Sequence, residues 1–559
     1  MLRNHRADVN TTDRKFRTPI FHAIRAGNET ICRILLSDER ALIDWQDKQK
    51  QTPLVYAVER GCLSVERGCL SMASFLLNDF KPSVDIKDEK RRTAIWYAIA
   101  RCDENLVGRL LERNSDIRTP DYKRISPLGI AINKESVTIT RMLLFHSKLD
   151  PEKPMITDLD TRDHPLWLAA GAGLPDIIQL LVAYGVNPSF RGRHGQSLLH
   201  RAAKGGYEEA VRQLLTYEEI SVNATDRKDR TALHIAAEDG HLEVAKSLLA
   251  MHDINVNATD SYGRTALHIA AEYGHNSFTK MLLAYDTVDI NASDGDGATA
   301  LCLAAHENHT AIALQILCED HVHVNAIGKM GRTTLHNAVR NGNQPITCAL
   351  LNHAELDPNV CDDDGWASLT YAAFNGDLCM VELFLARADI QVNVAKAPPL
   401  FHAAKKGHLE IVRRLLRFDT IDINQRFWNN SPICIASEMG HLEVTRLLLA
   451  QGARLDINSK TYLGYTALSL AAFHGHLDII DLLLEDSRLD VAAADEFGET
   501  ALCQAARNGH EQVVKHLYRD LRAKGGSDVG RAIEVASHCR IAYFLQGHLS
   551  EDGEWCTWP

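Results

Sequence analysis

A motif of about 34 residues recurs along this chain and constrains its fold more than any other feature. The segments TALHIAAEDGHLEVAKSLL, TALHIAAEYGHNSFTKMLL and TALCLAAHENHTAIALQIL begin at Thr231, Thr265 and Thr299, at intervals of 34 residues. Fifteen positions are equivalent to Thr231: Thr18, Thr52, Thr93, Ser126, His164, Ser197, Thr231, Thr265, Thr299, Thr333, Ala367, Pro398, Ser431, Thr466 and Thr500. A period of this length is typical of stacked repeats, so we expect one long array in place of several globular domains.

The residues of one unit encode a loop followed by two helices. Thr or Ser at the first position suits a helix N-cap, and the Pro that often follows it suits the first helical turn. The loop 254–264, for example, has Asp260 placed to hydrogen-bond a turn and Gly263 at the tip. In the second helix, as in LEVAKSLL of 242–249, apolar residues form one stripe. Glycine enters a left-handed C-cap without steric cost, so the first helix is expected to end at Gly240, Gly274, Gly407, Gly440, Gly475 and Gly509.

The start of each unit resembles the TPLHxA signature of ankyrin repeats, with TPIFHA at Thr18, TPLVYA at Thr52, SPLGIA at Ser126 and SPICIA at Ser431. The resemblance covers nearly the whole chain. It implies an all-α repeat solenoid of stacked ankyrin repeats, about 15 units long, in which each repeat buries its apolar stripe against its neighbours. It also implies that protein partners bind to the loops, called fingers below, and to the first or inner helices.

The equivalent positions set the expected boundaries of the repeats. Residues 1–15 are expected to be a partial repeat or an N-terminal cap, and 532–559 a C-terminal cap and tail. The fifteen repeats between them are expected at 16–49, 50–90, 91–123, 124–161, 162–194, 195–228, 229–262, 263–296, 297–330, 331–364, 365–395, 396–428, 429–463, 464–497 and 498–531.

Several irregularities interrupt the period. The heptapeptide VERGCLS occurs at 58–64 and again at 65–71, which predicts a looped-out turn in the second repeat. The segment 148–163 predicts an enlarged loop, and the interval of 31 residues from Ala367 to Pro398 predicts a shortened finger. Met1 lies inside a unit, so either the array begins with an incomplete repeat or the chain is part of a longer polypeptide. Residues 527–549 are expected to form a helical cap.

Composition and charge exclude several classes of protein. The hydrophobic content of 45% and the charged content of 24% are those of a folded chain. The 13 cysteines show no CxxC pair, and no stretch reaches the roughly 18 apolar residues of a membrane span, so a cytoplasmic or nuclear location is expected. Residues 1–120 hold 21 Lys and Arg against 17 Asp and Glu, within a net charge of -12. This balance does not suit direct binding of nucleic acid.

The sequence contains no motif for catalysis or cofactor binding. No GxxxxGK[ST] loop, GxGxxG fingerprint or GxSxG elbow occurs, so we expect no enzyme, no cofactor, no metal and no small-molecule substrate. Twelve histidines recur near the helix starts and after the glycines. We assign them structural hydrogen bonds at consensus positions of the repeat; they are His22, His200, His234, His268, His336 and His402, and His241, His275, His408, His441, His476 and His510.

Departures from the repeat pattern indicate where a partner could bind. In the first four fingers the tip glycine is replaced by Phe16, Lys50, Arg91 and Arg124. Stacking would align a basic edge that suits an acidic partner segment, although solvated tips are the alternative; its residues are Lys15, Lys48, Lys50, Lys90, Arg91, Arg92, Lys123 and Arg124. Aromatic residues replace polar ones in later fingers, and Trp366 and Trp428 are candidate anchors. Packing between adjacent fingers is the alternative for these two.

Three functions therefore remain open. The first is a non-enzymatic scaffold that binds a protein partner through fingers and inner helices. The second is a transcription coregulator, because the form LLxxxxIxVN, as in LLTYEEISVN of 214–223, resembles ankyrin arrays of filamentous fungi, some of which act around secondary-metabolite pathways. The third is the ankyrin tail of a larger NTPase-type receptor.

Overall fold

The computed structural model describes residues 8–60, 72–148, 164–393 and 396–523. Over these ranges the chain contains thirty α-helices and three short 3-10 helices, Arg193–Gly195, Lys329–Gly331 and Gly452–Arg454, and no β-strand. The fingers contribute only isolated β-bridges, such as Arg191 with Ser197 and Cys361 with Ala367. The chain divides into two compact units, Met1–Ala266 and Leu267–Pro559.

The first unit alternates inner and outer helices. Each inner helix follows directly after a position equivalent to Thr231; these helices are α1 (Pro19–Arg25), α3 (Pro53–Arg60), α5 (Ala94–Ala100), α7 (Pro127–Asn133), α9 (Pro165–Ala172), α11 (Leu198–Lys204) and α13 (Ala232–Asp239). The outer helices are α2 (Glu29–Leu36), α4 (Met72–Asp79), α6 (Glu104–Glu112), α8 (Val137–Lys148), α10 (Pro175–Ala183), α12 (Glu208–Leu214) and α14 (Leu242–Leu249).

The second unit repeats this order. Helix α15 (Ala266–Tyr273) begins at the last residue of the first unit. The later inner helices are α17 (Ala300–His306), α19 (Thr334–Arg340), α21 (Ser368–Asn375), α23 (Pro399–Lys406), α25 (Pro432–Glu438), α27 (Ala467–His474) and α29 (Ala501–Arg507). The outer helices are α16 (Asn276–Leu283), α18 (Thr310–Leu317), α20 (Gln344–Leu351), α22 (Leu378–Leu385), α24 (Leu409–Leu415), α26 (Leu442–Leu449), α28 (Leu477–Leu484) and α30 (Glu511–Ala523).

Within each unit, helices pack against their counterparts in the neighbouring repeats. Inner helix α11 contacts α9 and α13, and outer helix α12 contacts α10 and α14. Small residues such as Ala236 and Ala237 are fully buried and let the inner helices approach closely, while Val244 and Leu248 bury the stripe of the outer helix. The predicted all-α repeat solenoid is confirmed.

The consensus histidine fixes the start of an inner helix. His234 Nδ1 accepts a hydrogen bond from the backbone N–H of Thr231 at 3.1 Å, and His234 Nε2 lies 3.0 Å from the carbonyl oxygen of Arg264 in the next finger. One nitrogen faces a donor and the other an acceptor, so the neutral ring with its proton on Nε2 fits this site. Burial also lowers the pKa of His234.

The histidine after the glycine has a second structural role. His408 Nε2 lies 3.1 Å from the carbonyl oxygen of Phe374, at the end of the preceding inner helix. A Cβ on Gly376 would lie only 2.6 Å from the ring of His408, and Gly376 has a φ of +80°. Glycine is therefore required there twice, by its backbone conformation and by the approach of the ring. Among the described residues, no group of three His, Cys, Asp or Glu side chains could hold a metal ion.

The assignment of all twelve histidines to consensus positions is wrong for His22 and His402. Each lies four residues after its capping position, Thr18 or Pro398, whereas His234 lies three residues after Thr231. His22 Nε2 is consequently 3.2 Å from Asp13 Oδ2. His402 is buried among aromatic rings, and neither of its nitrogens has a hydrogen-bond partner in the described part of the chain.

A ladder of asparagine side chains joins successive loops behind the fingers. Asn325 Nδ2 donates to the carbonyl oxygen of Glu355 at 2.6 Å, and Asn325 Oδ1 accepts from the backbone N–H of Asp357 at 2.9 Å. Asn223, in an earlier repeat, makes the same pair of bonds to its next loop, at Asp253 and Asn255. The final Asn of the LLxxxxIxVN pattern therefore has a structural role.

Some expectations lie outside the described residues. The second copy of VERGCLS, the enlarged loop within 148–163 and the cap at 527–549 belong to this group, as does the centre of the shortened finger at 394–395. Among the residues that the structure describes, no helix is long and apolar enough to cross a membrane.

Candidate protein-binding surface

An aspartate at the start of a finger folds the finger around itself. Asp121 Oδ1 accepts from the backbone N–H groups of Lys123 and Ile125, at 2.8 and 3.1 Å, and the Asp121 carboxylate is only 1% exposed. This turn places the tip residue in the left-handed region, where φ is 58° at Phe16, 59° at Lys50, 58° at Arg91 and 66° at Arg124. The backbone conformation of a glycine is thus retained at these tips although the glycine is absent.

Single backbone hydrogen bonds join the tips of neighbouring fingers in the first unit. The N–H of Lys48 donates to the carbonyl of Lys15 at 2.8 Å, and the N–H of Tyr122 donates to that of Lys90 at 3.0 Å. Between these two pairs, the N–H of Glu89 donates to the carbonyl of Gln49 at 2.9 Å. The four fingers therefore lie side by side. Exposed basic side chains on them form what we call the basic tip row: Lys15, Lys48, Lys50, Lys90, Arg91, Lys123 and Arg124.

Arg92 does not belong to this row, although the sequence analysis grouped it there. Its side chain is only 16% exposed, and the guanidinium carbon lies 3.7 Å from the ring centroid of Trp96. Arg92 also pairs with Asp121 at 3.5 Å. It links two fingers and is not available as a free surface charge.

Buried aspartates in three of the four fingers leave positive charge outermost, whereas Asp13 of the first finger is exposed. The four fingers 13–17, 47–51, 88–92 and 121–125 contain ten basic and five acidic residues. Asp47, like Asp121, has a carboxylate that is 1% exposed. Its Oδ1 is held by the backbone N–H groups of Gln49 and Gln51. A ligand at the tips would therefore meet the cations first.

A second group of basic residues in the same unit was not predicted from the sequence. Arg60, Arg101 and Lys134 are exposed and lie at the ends of α3, α5 and α7, each eight residues after the capping position. Aligning the repeats on that position would have revealed them. They extend the positive charge of these three repeats from the fingers to the inner helices.

The two candidate tryptophans of the second unit have different environments. Trp366 is half-buried, with ring centroids 4.1 Å from His402 and 4.9 Å from Tyr371. Trp428 is 86% exposed, and the ring contact described for it is with Phe427, at 6.2 Å between centroids. Trp366 thus packs within the array, whereas Trp428 projects from it.

The finger that carries Trp428 has an unusual backbone. Phe427 and Asn430 exchange two backbone hydrogen bonds of 2.9 Å, and the two residues between them have φ values of 52° and 59°. Two positive φ angles define the tight hairpin turn in which Asn or Gly is ordinarily preferred. A bulky residue such as Trp428 is unfavourable in this conformation. Its neighbours Tyr462, Leu463 and Phe497 are also exposed at finger tips, and Leu463 was not foreseen.

Comparison with known proteins agrees with this architecture. The family model for ankyrin repeats (3 copies) matches residues 1–67, 130–226, 199–294, 287–362, 369–461 and 433–530. Human transient receptor potential cation channel subfamily A member 1 is 26% identical over 213 residues, which are 37% of this chain and 18% of the channel. The ankyrin repeat protein nuc-2 of Neurospora crassa is 29% identical over 171 residues, 30% of this chain and 15% of that protein.

A third relative, inversin of Canis lupus familiaris, is 28% identical over 183 residues, 32% of this chain and 16% of inversin. The chain thus spans less than a third of the length of each of these relatives. What they share with it is the repeat, since the family model covers most of the chain. The protein belongs to the ankyrin repeat family.

Proposed function

We propose that the protein is a non-enzymatic scaffold that holds an acidic segment of a protein partner along the basic tip row. The observation that carries this proposal is the set of backbone hydrogen bonds between Lys15 and Lys48, Gln49 and Glu89, and Lys90 and Tyr122. These bonds bring exposed cations of four fingers into one row. An extended acidic chain could contact several of them at once, and such multiple charged contacts give both attraction and orientation.

The conformation of the tips supports a role in binding. Lys50 and Arg91 adopt a left-handed backbone conformation, which costs about 1–2 kcal/mol for each residue. Their side chains are exposed. Strain without compensating burial is a feature of functional surfaces. Trp428 combines the same two properties in the second unit, and we propose it as an aromatic anchor for a partner. Trp366 is better explained by packing.

Charge reversal tests the proposed site. The variant Lys50→Glu, Lys90→Glu, Arg91→Glu changes three exposed tips and leaves the stacked Arg92 intact. Its matched control is Lys81→Glu, Arg141→Glu, Lys246→Glu, which alters the same net charge at exposed positions outside the fingers. Affinity capture from cell extract with quantitative mass spectrometry should show partners that bind the wild type and the control but are reduced about tenfold with the tip variant. Equal capture by all three proteins would refute the site.

The two narrower functions expected from the sequence, a transcription coregulator and the tail of an NTPase-type receptor, have less support than the scaffold function. The coregulator function depends on the pattern LLxxxxIxVN, whose final Asn joins neighbouring loops and would do so in any such array. A location confined to the nucleus would favour it, and a location confined to the cytosol would oppose it. The receptor-tail reading depends on an in-frame coding segment upstream, which transcript sequencing would reveal.

A further inference from the structure

Two fingers begin with glycine at the position where most others have the turn-forming aspartate. These glycines are Gly192 and Gly328, each five residues before a capping position, as Asp260 is five residues before Thr265. Without the aspartate side chain, the space between the finger and the inner helices is open to other groups, although a Cβ on Gly328 itself would lie 2.9 Å from the Cβ of Ala298. The two fingers differ in the side chain that the preceding inner helix places in this space.

In the first unit a tryptophan fills the space. A Cβ on Gly192 would lie 2.6 Å from the ring of Trp167, which lies three residues after the preceding capping position, His164. The residue at the same position before Gly328 is Cys302, which is much smaller. A cavity of about 310 Å³ lies there, lined by both Gly328 and Cys302. This volume is at the lower end of the range for ligand pockets.

Asn337, which lines the cavity, carries a buried polar atom that has no partner in the described chain. Asn337 is 7% exposed, and its Nδ2 is 3.4 Å from the carbonyl oxygen of Cys302. Since that carbonyl can only accept, the amide nitrogen must face it, and Oδ1 is left without a hydrogen-bond partner in the described chain. An unpaired buried acceptor costs about 1–3 kcal/mol.

Neighbouring repeats show why Asn337 is exceptional. Its position, four residues after the capping residue, is occupied by Ile269 and Leu303 in the two preceding repeats of the second unit. A polar residue there can bond to the aspartate of its own finger, as Tyr371 Oη does to Asp362 Oδ2 at 2.6 Å, although Tyr56 and His402 make no such bond. Asn337 has Gly328 in place of that aspartate, so nothing in its own repeat explains the choice of a polar side chain.

The other groups that line the cavity set its charge. Asp294 and Asp296 contribute carboxylates from the adjacent finger. Asp294 Oδ1 already accepts from the backbone N–H groups of Asp296 and Ala298, so its Oδ2 is the oxygen left for a ligand. Arg332 is half-buried, and its Nε is 3.7 Å from Asp362 Oδ2, which is 1% exposed and offsets its charge. The remaining titratable groups are Lys329, exposed at the finger tip, and His306, whose Nδ1 is 2.8 Å from Glu307.

We propose that this cavity binds the guanidinium group of an arginine side chain from a protein partner. The acceptors Asn337 Oδ1, Asp294 and Asp296 require a ligand that supplies several N–H donors and positive charge, and the guanidinium group supplies five donors in one plane. The proposal rests on the proposed protein-binding function and adds to it a contact in the second unit that is independent of the basic tip row.

The test uses the full chain and the blocked peptide acetyl-Gly-Arg-Gly-amide, with binding followed by ligand-observed NMR. The citrulline analogue, which keeps N–H donors but lacks the charge, is expected to bind about tenfold more weakly. The variant Asn337→Ile, which introduces the residue found at Ile269, should lose about tenfold in affinity for the arginine peptide. Lys329→Ala should strengthen arginine binding, because it removes a like charge.

Three results would overturn the proposal: no detectable binding of the arginine peptide, equal binding of its citrulline analogue, or unchanged affinity in Asn337→Ile. Preferential binding of acetyl-Gly-Glu-Gly-amide, weakened by Lys329→Ala, would identify an anion site instead and would also overturn it. The citrulline comparison needs only the wild type, so it stands even where a variant does not fold. Loss of arginine binding with intact partner capture would leave the proposed function untouched.

Discussion

At the scale of single residues, a shift of one position changes what a histidine does. His336, three residues after Thr333, has Nδ1 3.1 Å from the Thr333 backbone N–H and Nε2 3.1 Å from the carbonyl oxygen of Trp366. His402, four residues after Pro398, lies with its ring centroid 4.1 Å from that of Trp366 instead. Burial lowers the pKa of His402 to about 4.

We expect His402→Leu to raise the free energy of unfolding by about 1–3 kcal/mol at pH 7, because two unpaired buried nitrogens are removed. Leu470 already occupies the equivalent position two repeats later. The difference in the free energy of unfolding between His402→Leu and the wild type should grow as the pH falls from 6.5 towards 4. In that window the unfolded His402 binds a proton that the folded form does not, so the wild type loses up to about 1.4 kcal/mol per pH unit.

Urea unfolding of the full chain between pH 5 and 8 measures both effects. His336→Leu serves as the control and should lower stability at pH 7 by about 1–3 kcal/mol, because it breaks two hydrogen bonds. If His402→Leu destabilised the protein as much as His336→Leu does, the ring nitrogens of His402 would have hydrogen-bond partners, which would contradict the prediction.

The strained tip at Trp428 leads to a second residue-scale prediction. Trp428→Gly should raise the free energy of unfolding by up to about 1 kcal/mol, since glycine adopts a φ of 52° without strain. Trp366→Ala should instead lower it by about 2 kcal/mol or more, because Trp366 packs against Tyr371 and His402. Thermal unfolding compares the two. A loss of stability in Trp428→Gly would mean that the ring packs on the array and is not available to a partner.

Sequence reasoning located the surface residues only in part, for reasons visible at individual side chains. The tips Lys50 and Arg91 were found because they replace an expected glycine. Arg92 was misjudged because its burial depends on Trp96, one turn into the inner helix, and on Asp121 in the next finger. Exposure at such positions depends on contacts between repeats, which the spacing of the motif does not specify.

At the scale of elements, the asparagine ladder contributes to the coupling between repeats. Asn325 both donates to and accepts from the loop of the next repeat. In the first unit the equivalent residue after α4 is Asp85, whose Oδ1 accepts from the backbone N–H of Asp116 at 2.8 Å. A carboxylate cannot donate the second bond. Repeats joined by Asp in place of Asn therefore have one fewer link.

A pair of reciprocal substitutions tests the ladder. Asn325→Asp should lower the free energy of unfolding by about 1–3 kcal/mol, because a carboxylate oxygen would face the carbonyl of Glu355. Asp85→Asn should raise it by about 1 kcal/mol by supplying the missing donor. Chemical denaturation checks both, and equal small effects in the two variants would show that the ladder does not couple the repeats.

The regular elements were predictable because their determinants are local. Capping residues such as Thr231 and the glycines after the inner helices gave the helix order, and the fold class followed from the period. The finger at Trp428 was not predictable in the same way. Its tight turn between Phe427 and Asn430 depends on backbone angles that no glycine in the sequence indicated. The cavity at Gly328 likewise depends on three small or polar residues in two adjacent repeats.

At the scale of the whole molecule, charge is distributed unevenly among the fingers. The basic tip row belongs to the first unit. In the second unit three fingers, 294–298, 362–366 and 495–499, together contain eight acidic residues and no basic residue. The net charge of -12 therefore conceals a basic surface in the first unit that attracts an acidic segment. These acidic fingers should repel the same segment, which adds to the selectivity.

The most direct test of binding at the basic tip row is the dependence of partner affinity on salt. For a captured partner, we would measure the dissociation constant of the full chain in about 0.05 to 0.5 M NaCl, together with the Lys50, Lys90, Arg91→Glu variant. We expect wild-type binding to weaken at least about tenfold over this range, because salt screens exposed charges. The variant should bind weakly at low salt and change little. An affinity that is independent of salt, or equal for both proteins, would contradict the claim that the basic tip row holds the partner.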